Sequence, residues 1–202
     1  MTSTQERREA APTLPTHGAS LLPAVEVDSY NLETRDGEGF LGDKASKRAF
    51  NQILDDMREA VAKVGADPLG QKPSEEVSKK RLDALLAEGD PDGGALVQGL
   101  IEEFAGRLAA VLRRFLKLKS WAGTEAIVVG GGLRASRVGE LAIARAGILL
   151  NQDLEQPIEM RLIENHPDEA GLIGATQLLP HWMIGDHDRI LAVDVGGTNI
   201  RA

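Results

Sequence analysis

The chain contains no cysteine in its 202 residues, and it has few aromatic residues. Without cysteine it forms no disulfides, and its four scattered histidines have no thiolate to join them at a zinc site. Its two tryptophans, Trp121 and Trp182, are expected to pack inside the protein rather than stack on a base. These absences argue against an oxidising compartment and against a zinc site within this chain.

Long apolar runs and excess positive charge are also missing. No apolar run approaches the roughly 18 residues that span a bilayer, and the charged start of the chain lacks the apolar core of a secretory signal. The formal net charge of −8 disfavours binding to nucleic acid, which requires a basic surface to displace counterions. We therefore expect a cytoplasmic globular protein with no membrane or nucleic-acid partner.

Three stretches in the first part of the chain carry apolar residues at helical spacing. Residues 46–64 form the first, which ends at Gly65, and Ser74 offers a capping start for a second, short helix through Leu86. After the break Gly-Asp-Pro-Asp-Gly-Gly, the longest periodic segment extends over residues 97–115. Its broad apolar stripe predicts packing against a large part of the protein.

From residue 126 onward, strands alternate with helices. Residues 126–129 form a continuous apolar strand that ends in three glycines, and residues 136–150 are predicted to be helical. Residues 157–163 alternate like a strand near a sheet edge, residues 168–179 are helical, and residues 189–194 form a third strand. This order predicts an α/β layer structure in which the two nearly all-apolar strands are central.

The last turn of the chain, Val-Asp-Val-Gly-Gly-Thr-Asn at residues 193–199, is a candidate phosphate site. Gly196 and Gly197 leave backbone N–H groups open to an anion, and Thr198 adds a hydroxyl. Asp194, at the strand end, is well placed to position Mg²⁺ through water molecules. An ordinary glycine hairpin is the alternative, but an apolar strand that ends in Asp before Gly-Gly-Thr favours phosphate binding.

A second glycine turn consists of Gly130, Gly131 and Gly132, where a flat or anionic group can approach the backbone closely. Read as G-x-G-x-x-A, the turn also fits a dinucleotide fingerprint. The acidic residue that such a site requires about 20 positions further on would be Glu164, which comes too late. A third interpretation is that the glycines only allow the strand and the helix to pack tightly.

Together these segments resemble the ROK family of sugar kinases and repressors, within the superfamily that shares the actin and hexokinase ATPase fold. LAVDVGGTNIRA resembles the first phosphate motif of that family, and AIVVGGGLRASRVGELA resembles its adenosine motif. NHPDEAGLIGATQLL is similar to the closing helix of the family, and the long helix before Trp121 matches the helix that precedes the adenosine strand. The resemblance covers residues 86–202 well and the earlier part loosely.

The order of the motifs differs from that of ordinary family members, in which the phosphate motif comes first and the adenosine segment and closing helix come last. The resemblance therefore implies a circularly permuted protein of actin-like (ribonuclease H-like) ATPase fold, with this chain as its front part. After a mobile arm at 1–24, we expect a helical segment of the C-terminal lobe at 25–85, the adenosine segment and closing helix at 86–180, a permutation linker at 181–188, and the first strand and phosphate turn at 189–202.

The resemblance implies ATP-dependent phosphorylation of a hexose hydroxyl, as in glucokinases, with ATP and Mg²⁺ as cofactors and a homodimer as the assembly. Two alternatives stay open. One is a sugar-responsive transcriptional regulator without kinase activity, and the other is a dinucleotide-binding module.

The resemblance also assigns roles to individual residues. Asp194 would position Mg²⁺, Gly196, Gly197 and Thr198 would hold the ATP phosphates, and Gly130 to Gly132 would border adenine and ribose. No residue of this chain is assigned as the catalytic base. The Asp that serves as that base is expected beyond Ala202, together with the sugar-binding loop and any zinc ligands. These 202 residues alone are therefore expected to be inactive as a kinase.

Overall fold

The computed structural model describes residues 34–88, 90–152, 154–176, 179, 185–195 and 200–201, together with the secondary structure of residues 21–22 and 25–26. Helices and small sheets combine in this part of the chain, which confirms the α/β class. Most of the predicted arm at 1–24, and several residues of the predicted linker at 181–188, lie outside the described residues.

The described part of the molecule contains five α-helices: α1 (Lys47–Ala62), α2 (Lys79–Ala87), α3 (Pro91–Leu116), α4 (Arg137–Asn151) and α5 (Pro167–Thr176). Each of the first four begins after a residue whose side-chain oxygen accepts a hydrogen bond from the backbone N–H three positions later. These caps are Ser46, Ser78, Asp90 and Ser136. The caps satisfy N–H groups that have no partner within the helix, and so they fix where each helix starts.

Several predicted helix boundaries were wrong. Ser74 does not cap α2. It belongs to a separate 3₁₀ turn, where its buried hydroxyl accepts a hydrogen bond from Arg58 at 2.9 Å, and Ser78 caps the helix instead. The predicted break before α3 is also shorter than expected, because Asp90 caps the helix and Pro91 occupies its first turn, where proline is favourable. Val64, predicted to lie on the buried face of α1, follows the end of that helix and is exposed.

Short strands form four two-stranded sheets among the described residues. The antiparallel pairs are β1 (Leu21–Leu22) with β2 (Val25–Glu26), β3 (Arg35–Asp36) with β4 (Gly39–Phe40), and β7 (Asp194–Val195) with β8 (Ile200–Arg201). The parallel pair is β5 (Ala126–Val129) with β6 (Glu159–Leu162), and helix α4 connects its two strands. The predicted strand, glycine turn, helix and strand between residues 126 and 163 are therefore confirmed.

The third predicted strand was wrong over most of its length. Residues 189–193 have no strand pairing, and Leu191 is 79% exposed; the strand starts only at Asp194. The central position expected for β5 is not seen in the described part of the chain, where β5 pairs with β6 and Val128 is 63% exposed. Apolar composition does not by itself supply the neighbouring backbone that a central strand requires.

Helix α3 runs through both hydrophobic clusters of the described residues. The larger cluster joins α3 to α1, α2 and α4, and in it Phe50 and Phe104 meet edge to face with ring centroids 5.4 Å apart. The smaller cluster lies under the parallel sheet, where Leu112 and Leu150 pack with Ile127 from β5. Helix α3 thereby fixes α1 and α2 relative to the glycine turn that follows β5. No helix in the described part is long and apolar enough to cross a membrane.

Candidate functional site

A cleft of about 590 Å³ lies beside Gly130 and Gly132, between the glycine turn and the first two helices. Seven apolar side chains line one part of it: Ala45, Phe50, Leu54, Val77, Leu82, Phe104 and Leu133. Polar side chains line the rest, and they include Ser46, Lys47, Asn51, Ser74, Glu75, Ser78 and Lys79. An apolar concavity with a few polar groups is the usual construction of a site for a small organic molecule.

The glycine turn combines an unusual backbone conformation with tight packing. Gly131 has φ +84°, in the left-handed region that favours glycine, and a 3₁₀ turn over residues 132–135 follows it. A Cβ at Gly130 would lie 3.4 Å from Cγ2 of Ile163, so the strand end is close to its neighbour. Gly130 and Gly132 line the cleft, and their backbone is what a ligand there would meet.

The N-terminus of α4 is already occupied by protein groups. The Asp83 carboxylate, on α2, accepts hydrogen bonds from the backbone N–H groups of Val138 at 2.8 Å and Arg137 at 3.1 Å. The Ser136 hydroxyl accepts another from Gly139 at 3.1 Å. In a dinucleotide-binding fold, the pyrophosphate lies against these N–H groups of the helix. Asp83 therefore fills the position that the G-x-G-x-x-A interpretation requires for phosphate.

The interpretation that glycine allows tight packing applies to a fourth glycine near the turn, Gly139. A Cβ at Gly139 would lie 1.8 Å from the carbonyl oxygen of Leu133, so no side chain fits between α4 and the turn. Tight packing is therefore the role of Gly139. At Gly132, by contrast, the atom nearest to an added Cβ would be the flexible ammonium of Lys79, at 3.2 Å.

Two lysines supply the positive charge at the cleft. The Lys79 ammonium donates a hydrogen bond to the carbonyl oxygen of Gly132 and so connects α2 to the glycine turn. Burial lowers the pKa of Lys79, the positive charge of Lys47 lowers it further, and the Asp83 carboxylate opposes both effects. Within the described residues, neither lysine forms an ion pair with a carboxylate, although Glu75 also lines the cleft.

The second glycine motif is described only at its two ends. Asp194 is paired with Arg201, and Val195 with Ile200, in the antiparallel register of β7 and β8, so the backbone forms the predicted hairpin. Asp194 is exposed and lines a separate cleft of about 480 Å³ between α5 and the segment that precedes β7. The predicted phosphate-binding residues between these strands lie outside the described residues: Gly196, Gly197 and Thr198.

The catalytic base expected beyond Ala202 stays a prediction. Ala202 itself lies outside the described residues, which end at Arg201 in strand β8. The site described here is therefore built only from residues of the two glycine motifs and of the helices around them.

Helix α5 contacts an element next to each of the two glycine motifs. It contacts the 3₁₀ turn at residues 132–135 and also strand β8. The structure thus places Gly130 and Gly132 at one cleft and Asp194 at another, with the predicted closing helix in contact with both parts of the chain.

Sequence reasoning missed Lys47, Lys79 and Asp83. The signal for the lysines was present, because each follows a serine that caps a helix. The sequence does not show that these two helix starts face the same glycine turn. That arrangement depends on the packing of α1 and α2 against α3.

In the part of the chain that the structure describes, no three His, Asp or Glu side chains cluster to hold a metal ion. Comparisons with protein-family models, curated proteins and solved structures found no match for the chain.

Proposed function

We propose that this chain is the nucleotide-binding part of an ATP-dependent hexose kinase with the actin-like ATPase fold. The observation that carries the proposal is the cleft beside Gly130 and Gly132, the glycines that the family resemblance assigns to adenosine. Its volume of about 590 Å³ lies within the range of roughly 300–1,000 Å³ that is usual for small-molecule sites.

The residues that line the cleft could accommodate both the base and the ribose of a nucleoside. A flat base would lie against apolar side chains such as Phe104 and Leu133, where its burial is favourable. Ribose would approach the backbone at Gly130 and Gly132, which carry no side chains of their own.

The contacts of α5 support a link between the adenosine and phosphate motifs. The helix touches both the turn after Gly131 and the hairpin that begins at Asp194, as a site for one extended nucleotide requires. Asp194 would position Mg²⁺ through water, and Gly196, Gly197 and Thr198 would hold phosphates. Mg²⁺ supplies charge neutralisation of the transferring phosphoryl group, and catalysis in such sites is chiefly positioning and charge stabilisation. The catalytic base is assigned to no residue of this chain.

A larger side chain placed in the cleft tests whether the cleft binds the nucleotide. We expect Gly132→Leu to lower the affinity of the 202-residue chain for MgATP at least tenfold, as measured by isothermal titration calorimetry, because the new side chain would enter the cleft. Displacement of the Lys79 ammonium should relieve the nearest contact, so the fold should tolerate the change. Gly106→Leu is the matched control, since Gly106 on α3 has open space where a Cβ would lie. Equal affinities of the two variants would refute this location of the site.

Binding measurements with other ligands distinguish the kinase from a dinucleotide-binding module and from a transcriptional regulator. NADH should bind more weakly than MgATP, because Asp83 already occupies the N–H groups that a pyrophosphate would need. A transcriptional regulator would be retained on DNA at low salt. We expect no retention, in line with the net charge of −8.

A further inference from the structure

The two lysines at the cleft carry positive charge without forming an ion pair among the described residues. Lys47 is exposed at the start of α1, and Lys79 is half-buried at the start of α2. Both line the cleft, where the only carboxylate among the described lining side chains is that of Glu75. In the described residues, neither ammonium forms an ion pair. Two ammonium groups that line one cleft, with the charge of Lys47 acting on Lys79 and no ion pair to either, favour an anion between them.

The polar side of the cleft continues into an adjoining groove. Lys47, Asn51, Ser74 and Glu75 line both cavities, and the groove adds Arg48 and other polar residues of α1. A ligand with an apolar group in the cleft would therefore direct its polar end past Lys47 and Lys79. Lys79 already spans the cleft, because its ammonium donates a hydrogen bond to the Gly132 carbonyl.

We propose that Lys47 and Lys79 together bind a phosphate group of the nucleotide, and that Lys79 leaves the Gly132 carbonyl for a phosphate oxygen when the ligand enters. The inference rests on the proposed nucleotide role of the cleft and adds the residues that recognise the anionic end. Release of the Gly132 carbonyl would open the backbone next to the ribose position. An anion between the two lysines would also relieve their mutual repulsion.

The test compares adenosine with ADP, without Mg²⁺, on the 202-residue chain. We expect ADP to bind more tightly than adenosine. Lys47→Met and Lys79→Met should each lower the affinity for ADP about tenfold relative to the affinity for adenosine, the loss typical of one charged hydrogen bond. Lys80→Met is the matched control, because Lys80 is the exposed neighbour of Lys79 and does not line the cleft. Lys79→Arg should retain most of the preference for ADP, since it keeps the charge.

Binding of ADP that neither methionine variant weakens would overturn the inference and leave the proposed function intact. Equal losses for ADP and adenosine would also overturn it, because they would indicate a structural role for the lysine. Absence of binding by adenosine and by ADP would refute the nucleotide role. In that case tripolyphosphate is the remaining probe: lysine-dependent binding of tripolyphosphate supports an anion site here, and failure to bind it overturns the inference as well.

Discussion

At Gly139, helix α4 comes so close to the preceding turn that a single methyl group does not fit. Gly139→Ala would place a Cβ 1.8 Å from the Leu133 carbonyl oxygen, which belongs to the backbone and has little freedom to move. We expect the variant to lower the free energy of unfolding by about 2–3 kcal/mol, as overpacking does, even though alanine is the better helix former. Urea denaturation monitored by circular dichroism measures the change.

Gly106→Ala provides the control for Gly139. Gly106 lies in the middle of α3, and a Cβ added there would meet none of the surrounding side chains or neighbouring elements within 4 Å. Alanine should therefore raise the free energy of unfolding by up to about 1 kcal/mol through its helix propensity. A similar change in both variants would contradict the packing account of Gly139.

Glu102 and Arg145 connect α3 to α4 through two hydrogen bonds of 2.7 Å each. The hydrogen bond from Arg145 lowers the pKa of Glu102, and the guanidinium charge lowers it further. Since the folded-state pKa lies below the unfolded one, the pair stabilises the protein above the ordinary pKa of Glu, and this contribution is lost as the pH falls through the folded-state pKa. Both side chains are partly exposed, so the contribution is small.

Glu102→Gln should therefore reduce the loss of stability between about pH 7 and pH 3. The measurement is the urea midpoint as a function of pH, with Glu76→Gln, at an exposed site, as the control. If the wild type and Glu102→Gln lose stability in parallel, the pair makes no pH-dependent contribution.

Helix α2 stabilises the N-terminus of α4 by supplying a capping side chain. Asp83 lies on α2 but accepts hydrogen bonds from two backbone N–H groups at the start of α4. Asp83→Ala leaves these groups without that partner, and we expect the free energy of unfolding to fall by about 1–2 kcal/mol, as for the loss of a local cap. Hydrogen exchange should show faster exchange at Val138.

Asp55→Ala is the control for Asp83, because it removes an exposed carboxylate from α1 and should change stability by less than about 0.5 kcal/mol. Unchanged protection at Val138 in Asp83→Ala would show that Ser136 caps the helix without help from α2.

The start of α2 shows that a local sequence pattern is not enough to identify the residue that caps a helix. The sequence predicts Ser74 as the cap of α2, but in the structure Ser78, four residues later, caps this helix. In the structure, Arg58 binds Asp67, Gly70 and Ser74, and it thereby ties this loop to α1. The choice between the two serines depends on this contact across 16 residues, which local propensity does not contain.

For the whole molecule, the main question is whether the two glycine motifs serve one ligand. If they do, Asp194→Ala should abolish the increase in ATP affinity that Mg²⁺ produces, because Asp194 would hold the ion through its waters. The affinity for adenosine should not change, since adenosine binds at the other motif. Calorimetric titration with and without Mg²⁺ measures both effects.

Asp186→Ala is the control for Asp194, since Asp186 is an exposed residue that lies before the same strand. An equal Mg²⁺ effect in wild type and Asp194→Ala would separate the hairpin from the nucleotide site.

The sequence by itself determined the elements that depend on local interactions. Apolar periodicity identified α1, α3, α4 and α5, and the apolar run before Gly130 identified β5. Helices and their caps are formed by residues three or four positions apart, so the information lies within a short window.

Only the tertiary structure decided which of these elements meet. It placed Lys47 and Lys79 beside Gly132, and it brought Asp83 to the N–H groups of α4, more than 50 residues away in the chain. It also left residues 189–193 without the strand predicted there, because strand formation requires a partner backbone. The contacts of Lys47, Lys79 and Asp83 depend on how the helices pack around α3, and packing is a property of the assembled core.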